Sequence, residues 1–193
     1  MMNRRDAIAR VGLIMGGTVV GAEAFLSGCA PSGGSAAAAT TFTPAVVAML
    51  DEVGETILPT TAKSPGAKAA KIGEFMKVIV TDCYDKADQE VFATAVPSIN
   101  ALASETYGKP FMDLAGDERH ALLVTLDQSA RDHDGGLEDG DPAHYFTLVK
   151  QLTLWGFFTS EVGSTEGLRY LPVPGKYDGC TEYEDGDRAW AAI

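Results

Sequence analysis

The sequence predicts an all-α protein, a compact bundle of about five helices followed by an extended, irregular C-terminal tail. Three observations carry this. Apolar residues recur at helical intervals from residue 43 to about residue 160, start and stop residues punctuate the pattern, and no stretch alternates long enough to make a useful strand. With 46% hydrophobic and 22% charged residues among 193, the chain has the apolar mass of a folded domain.

Each element has a local cause. Thr43-Pro44 starts the first helix, an N-cap hydroxyl followed by a proline whose missing N–H costs nothing in the first turn. Val46, Val47, Leu50, Val53 and Ile57 follow on one face, and Pro59 ends the run. Residues 60–66 are turn chemistry. A second helix is predicted over 67–84, with Ile72, Phe75, Met76, Ile79, Val80 and Cys83 on one stripe, so that Cys83 points inward. Asp88 caps a third helix carrying Val91, Phe92, Ile99, Leu102 and Ala103, which Pro97 kinks or splits and Gly108 closes. Asp117 and Glu118 open a fourth with Leu122, Leu123, Leu126 and Ala130 inward, and 131–141 reads as a loop. Asp141-Pro142 starts a fifth, in which Phe146, Val149, Leu152, Thr153 and Gly156 line one face. Beyond Ser160 the periodicity stops, and glycines, prolines, three tyrosines and Trp190 make an anchored tail over 164–193.

Ahead of the body, residues 1–28 have the layout of an export signal. Arg4 and Arg5 precede a weakly apolar stretch, 11–25, that contains four glycines and is shorter than the roughly twenty apolar residues of a membrane span. Paired arginines before such a stretch resemble a twin-arginine signal, read by a translocase that carries folded proteins; otherwise the pair is only the positive start of a general secretory signal. Leu26-Ser27-Gly28-Cys29 resembles a lipobox, in which the Cys29 thiol takes a diacylglycerol; the alternative is a chance cysteine after a cut elsewhere. Acyl chains on Cys29 would hold the protein at a membrane without spanning it, a periplasmic, lipid-anchored location. Residues 29–41, rich in Gly, Ser and Ala, then read as a flexible tether to a domain over 42–193.

Charge and motif spacing exclude several functions. The net charge of −12, from 15 basic and 27 acidic residues, repels phosphates and argues against a nucleic-acid partner. The acidic run Asp132, Asp134, Glu138, Asp139, Asp141 lacks EF-hand spacing and reads as a solvated loop in preference to a calcium site. His120, His133 and His144 are scattered, with no pair spaced to aim two imidazoles at a metal. Ser129, Ser160 and Ser164 sit in no nucleophile elbow, and the glycine clusters lie between no strand and helix, so no catalytic, cofactor-binding or metal site is expected on this chain. Cys83 and Cys180 could form a long-loop disulfide, remain two buried thiols, or supply one bond to a partner chain.

The stretch 146–180, containing L-T-L-W-G-F-F-T-S-E-V-G and Y-L-P-V-P-G-K-Y-D-G-C, resembles the gluconate 2-dehydrogenase subunit 3 family. Leu58-Pro59-Thr60-Thr61, Pro65-Gly66-Ala67, Ile72-Gly73-Glu74-Phe75 and Asp82-Cys83-Tyr84 look like that family's first half, so the resemblance covers about 43–190. It implies a noncatalytic gamma subunit that assists folding and export of a glucose-methanol-choline type dehydrogenase. In that picture FAD sits in the partner, often with haem c in a third, multihaem cytochrome subunit, and the substrate is a sugar, sugar acid or polyol. Both cysteine-bearing motifs of the family are present, which favours the Cys83–Cys180 bridge. The lipobox is a departure from members whose signal is cleaved without a lipid.

Within the body, Trp155, Phe157, Phe158, Tyr170, Pro172, Pro174, Tyr177 and Trp190 supply rigid anchors for a partner, or else cover the chain's own bundle. The competing class of function is a solitary periplasmic lipoprotein that binds a ligand or envelope protein. An enzyme in its own right would need a convergent polar pocket that the sequence does not display.

Overall fold

The computed structural model describes residues 42–191 except 139, 174, 177, 178 and 183. The export signal with Arg4 and Arg5, the lipobox with Cys29 and the tether lie outside the described residues, as do Pro174 and Tyr177. Among the described residues six α-helices form the body: α1 (Pro44–Ile57), α2 (Ile72–Asp82), α3 (Lys86–Ala93), α4 (Ala95–Tyr107), α5 (Gly116–Asp134) and α6 (Tyr145–Thr159). Short 3-10 turns at Ala67–Ala70 and Phe111–Asp113 and a π-helical turn at Gly163–Gly167 complete it.

Helix α1 starts as its sequence dictates, with the Thr43 hydroxyl accepting the Val46 N–H and Pro44 in the first turn. Val47, Leu50 and Val53 are buried as expected, joined by Met49 and Gly54. Glu55 then organises the connection that follows. Its carboxylate accepts the Thr60 N–H at 2.8 Å, the Thr60 hydroxyl at 2.7 Å and the Lys68 N–H at 2.9 Å. Burial would raise the Glu55 carboxyl, but these donors hold it below its ordinary value.

The single helix expected over 67–84 is in fact two pieces. Lys71 adopts a left-handed conformation (φ 54°) between the 3-10 turn and α2. The physical reason is a tertiary contact: the Asp51 carboxylate accepts the Gly73 N–H at 2.8 Å and seats the first turn of α2 on α1. A Cβ at Gly73 would stand 2.4 Å from the Val47 carbonyl oxygen, so only glycine allows this approach. Ile72, Met76 and Val80 are buried as the stripe requires. Cys83 is not. The helix stops at Asp82, Cys83 is its cap with φ −116°, and the thiol is free and exposed instead of pointing inward.

Two further expectations shift by a few residues. Asp85, not Asp88, caps α3, accepting the Asp88 N–H at 2.9 Å. The expected third helix splits at Thr94 into α3 and α4, which places Pro97 in the first turn of α4, where no N–H is missed. Phe92, Ile99 and Ala103 are buried, and Gly108 (φ 70°) closes α4. The Asn100 amide carries the chain onward, its oxygen accepting the Phe111 N–H at 3.0 Å and so fixing the fully buried Phe111.

Helix α5 buries Leu122, Leu123, Leu126 and Ala130, the four residues its spacing selects. Its opening is half a capping box: the Glu118 side chain accepts the Ala115 N–H at 2.8 Å, while alanine offers no acceptor in return. It also runs to Asp134, past the loop expected from 131, supported by Arg131–Asp127 and Gln128–Asp132 pairs one turn apart. Helix α6 begins at Tyr145 with His144 as its cap, later than the Asp141-Pro142 start expected.

Helix α6 is apolar nearly all round, and it contacts all five other α-helices. Phe146, Leu148, Val149, Leu152, Thr153, Gly156 and Phe157 are buried along it. The Thr153 hydroxyl is satisfied by the Val149 carbonyl at 2.8 Å, so the central helix carries no polar penalty there. Among the described residues no helix is long and apolar enough to cross a membrane.

Candidate partner surface

The outer face of α2 and α6 is built on a glycine. A Cβ at Gly156 would lie 2.6 Å from the Phe75 ring, so the absence of a side chain lets Phe75 lie on α6. Beside it the Trp155 indole meets Phe75 edge to face, with centroids 5.5 Å apart. Half of Trp155 is nevertheless exposed, at 52%, and Phe158 and Val78 are exposed as well. Covering half an indole corresponds to about 2 kcal/mol of apolar burial, which a partner can supply.

Phe157 departs from this set. It is 3% exposed and belongs to the core. Its ring also receives the next turn. A Cβ at Gly167 would fall 3.2 Å from Phe157, and one at Gly163 only 1.8 Å from the Phe157 carbonyl oxygen. The π-helical turn thus folds back onto the end of α6. Ser160 and Ser164 serve this turn, their hydroxyls donating to the Phe157 and Ser160 carbonyls at 2.7 Å.

The tail is held by backbone pairing and by arginine. Arg169 N–H donates to the Ala189 carbonyl and Ala191 N–H to the Arg169 carbonyl, both at 2.8 Å, forming a parallel bridge between Arg169 and Trp190. The Arg169 guanidinium stands 4.7 Å from the Trp190 ring centroid and 3.6 Å from Asp187. Arg188 donates to the Glu166 carbonyl. Trp190 remains 51% exposed, and Tyr170, Leu171 and Val173 are exposed on the same tail. Of the anchors expected from the sequence, Trp155, Phe158, Tyr170 and Trp190 therefore present surface, whereas Phe157 packs inside. Cys180 is exposed, and the structure does not join the free Cys83 thiol to it.

Two open hollows lie elsewhere. One, of about 540 Å³, separates the 60–65 turn from Thr165, Glu166 and Arg188. Its hydroxyls are already engaged: Thr60 with Glu55 and the Gly66 N–H, Thr61 with the Lys63 and Ser64 N–H groups. The other, of about 410 Å³, lies at the α3–α4 elbow around Ala93 and Pro97. Among the described residues no group of three or more His, Cys, Asp or Glu side chains is placed to hold a metal ion.

One polar cluster was not visible in the spacing. His133 and His144, eleven positions apart, come together with ring centroids 5.6 Å apart, and the His133 Nδ1 lies 3.0 Å from an Asp134 carboxylate oxygen. That carboxylate also accepts the His144 N–H at 2.8 Å and the Thr147 hydroxyl at 2.5 Å. Burial pushes the Asp134 carboxyl upward, but these contacts outweigh it and leave it below its ordinary range. No i, i+4 rule reports a contact made across a connecting loop.

A small helical body with aromatic side chains left half-covered on one helical face and on its tail is the form of a protein that works in an assembly. The family described as gluconate 2-dehydrogenase subunit 3 matches residues 44–175, well over half of the chain, and the chain belongs to that family. Comparison with curated proteins and with solved structures finds no match. By its family the chain is an accessory subunit of a dehydrogenase.

Proposed function

We propose that this chain is the noncatalytic small subunit of a periplasmic, FAD-dependent dehydrogenase acting on a sugar, sugar acid or polyol. It escorts the flavoprotein subunit through folding and twin-arginine export and holds it at the membrane through lipid on Cys29. The family match over 44–175 carries the reading. The half-exposed Trp155 and Trp190 support it as contact points, since rigid aromatic groups dominate protein interfaces. In this reading FAD belongs to the glucose-methanol-choline type partner and haem c to a cytochrome subunit. Arg4 and Arg5 supply the export signal for the complex.

The test is affinity purification of the tagged chain from membranes. A yellow, flavin-containing companion and sugar-dependent dye reduction are expected, and replacing Arg4 and Arg5 by lysine should leave both proteins in the cytoplasm. A companion that reaches the envelope normally when this gene is deleted overturns the escort role. Mass spectrometry of the mature N-terminus checks the lipid on Cys29.

A further inference from the structure

We propose that His144 is a pH-operated cap that closes the first turn of α6 at neutral pH and opens it in mild acid. The geometry carries this. His144 Nδ1 accepts the Phe146 N–H at 3.1 Å, one of the helix-end donors without an intrahelical acceptor. It can do so only as a neutral ring with its proton on Nε2. A second proton turns Nδ1 into a donor facing a donor, and it places a cation at the positive end of the helix dipole. Both effects remove the cap.

The surroundings decide when this happens. From α5, the His133 ring faces the His144 ring and the Asp134 carboxylate accepts the His144 backbone N–H; within α6, the Tyr145 ring stacks at 4.3 Å. On the connection, Asp141 is turned toward the Glu138 N–H at 3.0 Å. Burial pushes the His144 imidazole below its ordinary range, the His133 ring adds to this, and Asp134 opposes it. A folded state that disfavours the proton contributes stability above the unfolded value, about 6.5, and loses it as pH falls through the lower folded value. The Asp134 bonds to the His144 N–H and Thr147 hydroxyl persist through that window, so α6 stays joined to α5 and the response is a local opening of its first turn and not unfolding.

Hydrogen exchange on the full chain reads it at the Phe146 amide, alongside the His144 ring proton shifts, after correction for the intrinsic pH dependence of exchange. Protection should fall about tenfold between pH 7 and pH 5, the equivalent of one lost cap, and follow the ring titration. His144→Asn keeps a side-chain acceptor and should flatten the profile. His133→Gln should retain the response and move it to higher pH. Phe146 protection that stays constant while the His144 ring titrates, or an equal fall in His144→Asn, overturns the proposal.

Discussion

Trp155 stands perpendicular to Phe75, the planes at 90° and the centroids 5.5 Å apart. The pair joins the outer faces of α6 and α2, yet leaves half of the indole in solvent. Trp155→Ala should therefore cost the isolated chain about 2 kcal/mol, for the edge contact and the half of the indole already covered. Its binding to the dehydrogenase should weaken by about 2 kcal/mol or more, as for a buried aromatic anchor. Comparing the melting temperature of the free chain with its co-purification separates the two effects. A destabilised chain that still binds fully would make Trp155 a structural residue only.

Gly73 meets the Val47 carbonyl so closely that a methyl group has no room. The obstacle is backbone, which cannot rotate away, so Gly73→Ala should push α2 off α1 and destabilise by about 1–3 kcal/mol, despite alanine's better helix propensity. Gly116, with open space around its Cβ position, is the control. Its replacement by alanine should be neutral or slightly stabilising. Chemical denaturation of both variants provides the comparison.

Gly73 also marks the limit of what spacing reveals. The inward faces of α1 and α5 follow from period alone: Val47, Leu50 and Val53, then Leu122, Leu123, Leu126 and Ala130, are buried where they recur. The breaks at Lys71 and His144 are different, because each is set by a carboxylate from another helix. Asp51 holds Gly73, and Asp134 holds His144. The place of Phe157 is left open by the spacing for a related reason. On a helix apolar nearly all round, period does not distinguish an inward ring from an outward one. Trp155 and Phe158, its neighbours on α6, are exposed, and what sets Trp155 outward is the packing of Phe75 against Gly156, a tertiary contact that period does not report.

Arg119 links three segments. Its guanidinium meets Glu52 of α1, donates to the Phe111 carbonyl at 3.2 Å and the Met112 carbonyl at 2.7 Å, and lies 5.6 Å from the Phe111 ring centroid. Lysine is a compact ammonium and cannot reproduce this planar fork. Arg119→Ala should destabilise by about 2–4 kcal/mol, since it strips a mostly buried carboxylate and two carbonyls of a donor, and Arg119→Lys should recover less than half. Glu52 keeps Lys68 as a partner at 2.7 Å, so Arg119→Ala with Glu52→Gln should cost less than the sum of the single changes. Additive losses would mean that the two side chains act independently.

Acid should unfold the domain through its carboxylates. Lys68 above all, opposed by burial and aided by Arg119, holds Glu52 below its ordinary value, and Lys150 does the same for Asp127 with help from Arg131. Glu55 and Asp134 are lowered despite burial, by hydrogen bonds from Thr60 and Thr147 respectively. A lowered folded value means that the unfolded chain takes up protons first. The stability these groups contribute is complete above the unfolded values, about 4, and drains as pH falls through the folded ones. The melting midpoint should thus hold between pH 7 and about pH 5 apart from the local His144 response, then drop steeply toward pH 3. Asp127→Asn removes one of the four groups together with its contacts to Lys150 and Arg131. It should lower the plateau and make the acid slope shallower, whereas an unchanged slope would place the acid sensitivity in other carboxylates.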